Sequence, residues 1–233
     1  MSGIPADRRW SPSMPEAYER YLVPVLFRPF AVDLAGRAAA SAPRRVLELA
    51  AGTGALTSRL LAALPGAEVV ATDLNEAMAE FGRAWVPGAR FLFSTWGPLS
   101  GHGFDSAVQR GLERVFPADP PDFLHTLPHG YHDPDRVSAD LAAGGLEPTG
   151  HQPLTLKGTA GSAAAVVTGF LTGTPLRAVV EARGGDPDDP ALHAALTAEL
   201  TARLGTGRVT APMTAHLFEA RRAPGPRPKT NRL

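Results

Sequence analysis

Glu48, Gly52, Gly54 and Asp73 are the residues of this chain whose types and spacing can do chemistry together. They lie in VLELAAGTGALTSRL (46–60) and AEVVATDL (67–74). RRVLELA (44–50) is a short apolar run ended by glycines, which predicts a buried strand. Leu56, Leu60, Leu61 and Leu64 then recur at helical spacing and stop before Pro65-Gly66. A second buried strand comes next and ends at Asp73. Glycines between a strand and a helix let the backbone approach a ligand closely, and the helix start offers free N–H groups. An acid at the end of the next strand can accept hydrogen bonds from both hydroxyls of a ribose. Strand, glycine turn, helix, strand and acid together specify a nucleoside site far better than the glycines alone.

Glu48 narrows the ligand. A dinucleotide fingerprint would read GxGxxG, but the phase here is GTGALT, with Thr57 in the third glycine's place. A carboxylate at Glu48, near the end of the first strand, repels a pyrophosphate. It suits a ligand that carries an ammonium or sulfonium group, so a nicotinamide-dependent oxidoreductase is disfavoured.

Three histidines form a second constellation. His125, His129 and His132, with Asp133, lie in FLHTLPHGYHDP (123–134). Pro and Gly keep them off one helical face, so the spacing defines no metal geometry and no metal is expected there. The segment reads as a loop over the site, with His129, Tyr131 or His132 near substrate and His132 a candidate base.

VLELAAGTG followed by VVATDLNEAM resembles the first two motifs of the class I S-adenosylmethionine-dependent methyltransferases. The motif is an acid followed by a run with alternate glycines, and Ala50 stands at the first glycine position. The resemblance implies a Rossmann-like, mostly parallel sheet with helices on both faces. It places Glu48 near the methionine moiety, has Ala50, Gly52 and Gly54 line S-adenosylmethionine, gives the ribose to Asp73 and packs Leu74 on the adenine. MPEAYERYLVPVLFRPFA (14–31) resembles the helical lid of such enzymes, with Tyr18 closing over the cofactor. PHGYHDP resembles a loop over the active site in related methyltransferases. The implied activity is methyl transfer to a small-molecule acceptor.

The chain departs from that pattern in its middle. RFLFSTWGPLSGHGFDSAVQRGLERVF (90–116) resembles the family's fifth strand and the segment after it. WVPGARFLFSTW joins that strand directly to the helix after the second strand, so the third and fourth strands are missing. The fourth normally lies beside the first. The expectation is that residues 89–96 move into its place, giving a reduced sheet of about five strands and a cofactor pocket with one surviving wall. A catalytically weak or inactive relative that binds a nucleoside or a protein partner is the alternative function.

Periodicity defines the elements that must position these groups. A helix over 13–40 is kinked or split by Pro24 and Pro29. Leu74, Met78, Phe81 and Trp85 predict a helix capped by Asn75. Phe104, Val108, Leu112, Val115 and Phe116 share one helical face, so 104–116 is read as helix and not as a fourth strand. Asp133 caps a helix over 134–143 that ends at Gly144-Gly145. A strand around HQPLTLKG, helices near 162–171, 174–183 and 188–204, and a strand over 208–222 complete the chain. The two late strands are expected to pair antiparallel.

Composition bounds the rest. The chain has 233 residues, 44% hydrophobic and 20% charged, which suits one core and one domain. The reading is a single domain over 1–220, with a lid over 1–40 and a cofactor core over 44–96. The lid loop, late strands and helices span 97–220, and a disordered tail runs from 221 to 233. Lys+Arg and Asp+Glu balance at 23 each, so no global field draws in nucleic acid or an anionic membrane. Arg221, Arg222, Arg227 and Lys229 read as a solvated end. Asp186, Asp188 and Asp189 read as a solvated loop and a cap. The absence of cysteine excludes disulfides and thiolate chemistry. No secretory or membrane-spanning segment is recognised, and a cytoplasmic location is expected.

Overall fold

The computed structural model describes residues 14–72 and 90–222. The predicted helix over 75–85, Asp73, Leu74, the segment before Met14 and the tail from Ala223 lie outside the described residues.

The N-terminal helix is one rod in three parts: α1 (Met14–Ala17), a π-helical stretch (Tyr18–Phe27) and α2 (Arg28–Ala39). Pro24 lies inside the π stretch. A proline in an α-helix lacks the donor and collides with the carbonyl four residues back. Wider winding relieves that collision, and the Arg28 N–H bonds the Val23 carbonyl, five residues back. Pro29 sits in the first turn of α2, where a proline is tolerated. The sequence reading of a split helix therefore holds, with a π segment taking up the strain.

β1 (Arg45–Leu49), α3 (Ala55–Ala63) and β2 (Glu68–Thr72) form a strand–helix–strand unit. The strands pair in parallel from Arg45↔Glu68 to Leu49↔Thr72. α3 packs on α2 through a small cluster of Ala35, Leu60 and Leu64.

β3 (Arg90–Trp96) is followed by α4 (Gly103–Val115), the short α5 (Phe123–Thr126) and α6 (Pro134–Ala143). Asp133 caps α6 by accepting the Asp135 N–H at 2.9 Å. β4 (Leu146–Ala160) leads to α7 (Ala163–Gly173), α8 (Leu176–Glu181) and α9 (Pro190–Leu204). Asp189 caps α9 through the Ala191 N–H, and Asp188 holds Arg177. β5 (Val209–Arg222) closes the described chain.

The sheet arrangement corrects two expectations. β3 does not join β1. It pairs antiparallel with β5, from Arg90↔Arg221 to Trp96↔Ala215. β4 pairs antiparallel with the other edge of β5, as expected, so the second sheet has the order β3-β5-β4. Among the described strands only β1 and β2 are parallel, and the architecture is mixed α/β with two sheets. The physical reason lies in length: β5 spans 14 residues and β4 spans 15. Along β5 all seven residues of β3 are paired, whereas β1 has five residues to offer. β5 also carries Arg221 and Arg222 within the ladder, so these two residues are strand and not the start of the expected tail.

β5 serves two cores. Val209, Ala211, Met213 and Ala215 alternate toward the main core, with Phe104, Val108 and Leu112 of α4 and Leu196 of α9. Phe218 and Ala220 fall on the other face, against Val137 and Leu141 of α6. α7 lies against the N-terminal rod, where a Cβ on Gly169 would come within 2.8 Å of Leu22. Among the described residues, no helix is long and apolar enough to cross a membrane.

Candidate functional site

Leu49 ends β1, and the chain turns through left-handed backbone at Ala50 (φ 55°), Gly52 (φ 55°) and Gly54 (φ 85°) before entering α3. The Gly54 N–H closes the turn on the Ala51 carbonyl at 2.9 Å, and the Ser58 N–H bonds the Gly54 carbonyl. Gly52 and Gly54 take this conformation without a Cβ penalty. Ala50 does not, and a left-handed L-residue costs about 1–2 kcal/mol. Replacing Ala50 by glycine removes that strain but adds about 0.5–1 kcal/mol of backbone entropy loss. The expected result is an Ala50→Gly chain more stable by up to about 1 kcal/mol, read as a higher urea midpoint at unchanged slope. A lower midpoint would sink this account of the turn.

The turn borders a cavity of about 970 Å³. Its walls are the whole of β1, residues 50–53, Leu56 and Leu60 of α3, Phe30 and Leu34 of α2, and residues 90–94 of β3. Glu48 lies in this wall and is 6% exposed. Burial raises its carboxyl above the ordinary range, while the hydroxyl and N–H of Thr57 pull it back. The carboxylate thus meets the positive end of α3 and faces the cavity. Ala50 and Gly52 also line the wall, whereas Gly54 is the N-cap residue of α3 and lies outside it.

Tyr18 reaches the same cavity from the π stretch, with its ring 4.9 Å from that of Phe27. Burial raises its phenol, and the charge of Glu19 adds to the effect. The lid residue and the β1 turn are therefore brought together. Asp73 and Leu74 come after β2, outside the described residues. Thr72, the last described residue before them, pairs with Leu49, so both strands end at the same edge.

The histidine loop does something else. His129 is 2% exposed and lines no part of the cavity. Its Nδ1 lies 2.8 Å from the Gly97 carbonyl and its Nε2 lies 3.2 Å from Asp105 Oδ1. Tyr131 packs into the second core and donates to Asp140. His132 Nδ1 bonds the His129 carbonyl. The loop reaches inward because it folds on α5: a Cβ on Gly130 would come within 2.0 Å of the Thr126 carbonyl oxygen. None of the three side chains expected to meet substrate lies in the cavity wall.

The sequence reading missed His102 and Asp105, which are 1% and 5% exposed beside His129. One signal was available. Asp105 and Gln109 fall on the helical turns that carry Phe104, Val108 and Leu112, and a carboxylate among core positions calls for a buried partner.

No protein-family model matches the chain, and comparison with curated protein sequences finds no match.

Proposed function

We propose that the chain binds S-adenosylmethionine against β1 and transfers its methyl group to a small-molecule acceptor. The observation that carries this reading is the buried Glu48 beside a left-handed turn on one cavity wall. A carboxylate in an apolar wall is a costly feature unless it meets a cation. The ammonium and sulfonium of S-adenosylmethionine supply that charge. A volume of about 970 Å³ falls in the range of small-molecule sites and leaves room for an acceptor beside the cofactor.

The same reading covers the fold. The two sheets are the two ends of one Rossmann-like sheet that lacks its middle strands. β1 and β3 line the cavity with consecutive residues, and among the described strands β1 pairs only with β2 and β3 only with β5. The cavity therefore lies where the missing strand would run. Chemistry at such a site rests on placement, because the sulfonium is already activated and the protein holds nucleophile and methyl in line.

A second reading, nucleoside binding without turnover, has its own support. Among the described residues no histidine lines the cavity, and Arg45 and Arg90 in its wall are paired with Glu68 and Glu219. Calorimetric titration with S-adenosylmethionine, S-adenosylhomocysteine and NAD tests both. Binding of the first two and not the third is expected. A folded chain that binds neither would overturn the cofactor assignment. Binding without release of S-adenosylhomocysteine across a panel of small acceptors would favour the second reading.

A further inference from the structure

We infer that His102, Asp105 and His129 form a buried site for one divalent transition-metal ion of the zinc class. This site is separate from the β1 cavity and does not depend on the methyl-transfer reading.

The three side chains come from three places: the turn before α4, the first turn of α4 and the loop after α5. Their ligand atoms all lie within 4.8 Å of one another, and all three residues are buried. His129 Nε2 stands 3.2 Å from Asp105 Oδ1, and His102 Nδ1 stands 3.9 Å from Asp105 Oδ2. Ligands roughly 2.0–2.1 Å from a tetrahedral ion are about 3.4 Å apart, so an ion fits between them with small shifts.

The second nitrogen of each ring carries the argument further. His102 Nε2 lies 2.6 Å from the Thr214 carbonyl, and His129 Nδ1 lies 2.8 Å from the Gly97 carbonyl. A carbonyl only accepts, so each ring uses an N–H there and turns its other nitrogen toward Asp105. Metal-binding histidines are oriented by this kind of outer bond. Asp105 Oδ2 supplies an independent sign, because it is buried with no hydrogen-bond partner among the described residues. The inward nitrogens of both rings and the Asp105 carboxylate thus converge on one point, where an ion would take them as ligands. Two imidazoles and one carboxylate are a donor set that suits zinc and its neighbours.

The site has a structural consequence. It would tie the start of α4 to the loop that carries His129. Trp96, whose ring meets His102 edge-on at 5.0 Å, lines the β1 cavity on its other side.

The test strips the full-length chain with a chelator and titrates it with Zn²⁺ and then Co²⁺. One equivalent per chain, visible Co²⁺ absorption bands and a higher unfolding temperature are expected. Asp105→Asn and His129→Gln should each lose the equivalent. The competing site is the exposed His151–His216 pair, whose ring nitrogens are 2.9 Å apart. The double variant His151→Gln/His216→Gln should keep the full equivalent, which excludes the surface pair even if the buried variants do not fold. A folded wild-type chain that takes up no metal would overturn the proposal and leave a His129–Asp105 ion pair in its place. Loss of binding in the surface double variant would overturn it too.

Discussion

Glu48→Gln is expected to weaken S-adenosylhomocysteine binding about tenfold to a hundredfold while making the ligand-free chain harder to unfold. A hydrogen bond to a charged group contributes about 1.5–3 kcal/mol, and each 1.4 kcal/mol is a factor of ten in affinity. The opposite sign on stability comes from burial, which raises the Glu48 carboxyl. A raised carboxyl binds its proton more tightly in the folded chain than in the unfolded one. Stability therefore falls as pH rises from the unfolded value through the folded one, and the cost is fully present above both. Glutamine keeps the shape and an acceptor for the Thr57 N–H but removes the charge that burial penalises.

Ligand binding runs the other way with pH. An ammonium or sulfonium needs the ionised carboxylate, so affinity should rise as pH climbs through the Glu48 titration. Binding should release protons, read as a dependence of the calorimetric heat on buffer ionisation enthalpy. Glu48→Gln should flatten both effects. An unchanged affinity in a folded Glu48→Gln chain would remove the carboxylate from the site.

Most elements were legible because their signals are local. α4 was visible in Phe104, Val108 and Leu112, and α6 in Asp133 at its cap and Pro134 at its start. β1 and β2 stood out as short apolar runs bounded by turns, and the late strands were read around HQPLTLKG and over 208–222. The partner of β3 was not legible. Phe91, Leu92 and Phe93 suit any sheet edge, and the choice of β5 depends on a ladder with residues far away in sequence. In the structure Phe91 and Phe93 stack at 4.7 Å, and Phe93 stacks on Phe218 at 5.1 Å, a contact that the β5 register alone creates.

The site divides along the same line. Glu48 and the glycine turn were legible because one strand and one turn hold them, and the structure keeps Glu48, Ala50 and Gly52 on a common wall with Tyr18. His102, Asp105 and His129 were not, because they meet through tertiary folding of a loop whose sequence suits a cover over the site. The histidines in that loop were read as substrate-facing. A ring with carbonyl and carboxylate partners inside the fold gains more by turning inward.

Phe104→Ala is expected to cost about 3–5 kcal/mol and to destabilise the whole chain, whereas Leu60→Ala should open only one part of it. The difference arises from where each side chain packs. Phe104 is fully buried in the main core, in one cluster with residues of β5, α7 and α9. With total stabilities commonly about 5–15 kcal/mol, such a loss removes much of the margin. Leu60 is 3% exposed, but among the described residues its cluster holds only Ala35, Leu60 and Leu64 as buried members. The β1–α3–β2 unit is tied to the rest mainly through α2, which lends Ala35 to the small cluster and Phe30 to the main core. A unit with so little private core should open below the global unfolding free energy. Hydrogen exchange reads this directly. Leu60→Ala should speed exchange over residues 45–72 and leave residues 146–160 and 209–222 unchanged, while Phe104→Ala should speed both. Equal acceleration of β5 by Leu60→Ala would mean that the two sheets open as one. The nucleoside turn sits on the weaker unit, so S-adenosylhomocysteine should slow exchange at β1 and α3 far more than at β5. Ligand protection confined to β5 would place binding outside the β1 wall.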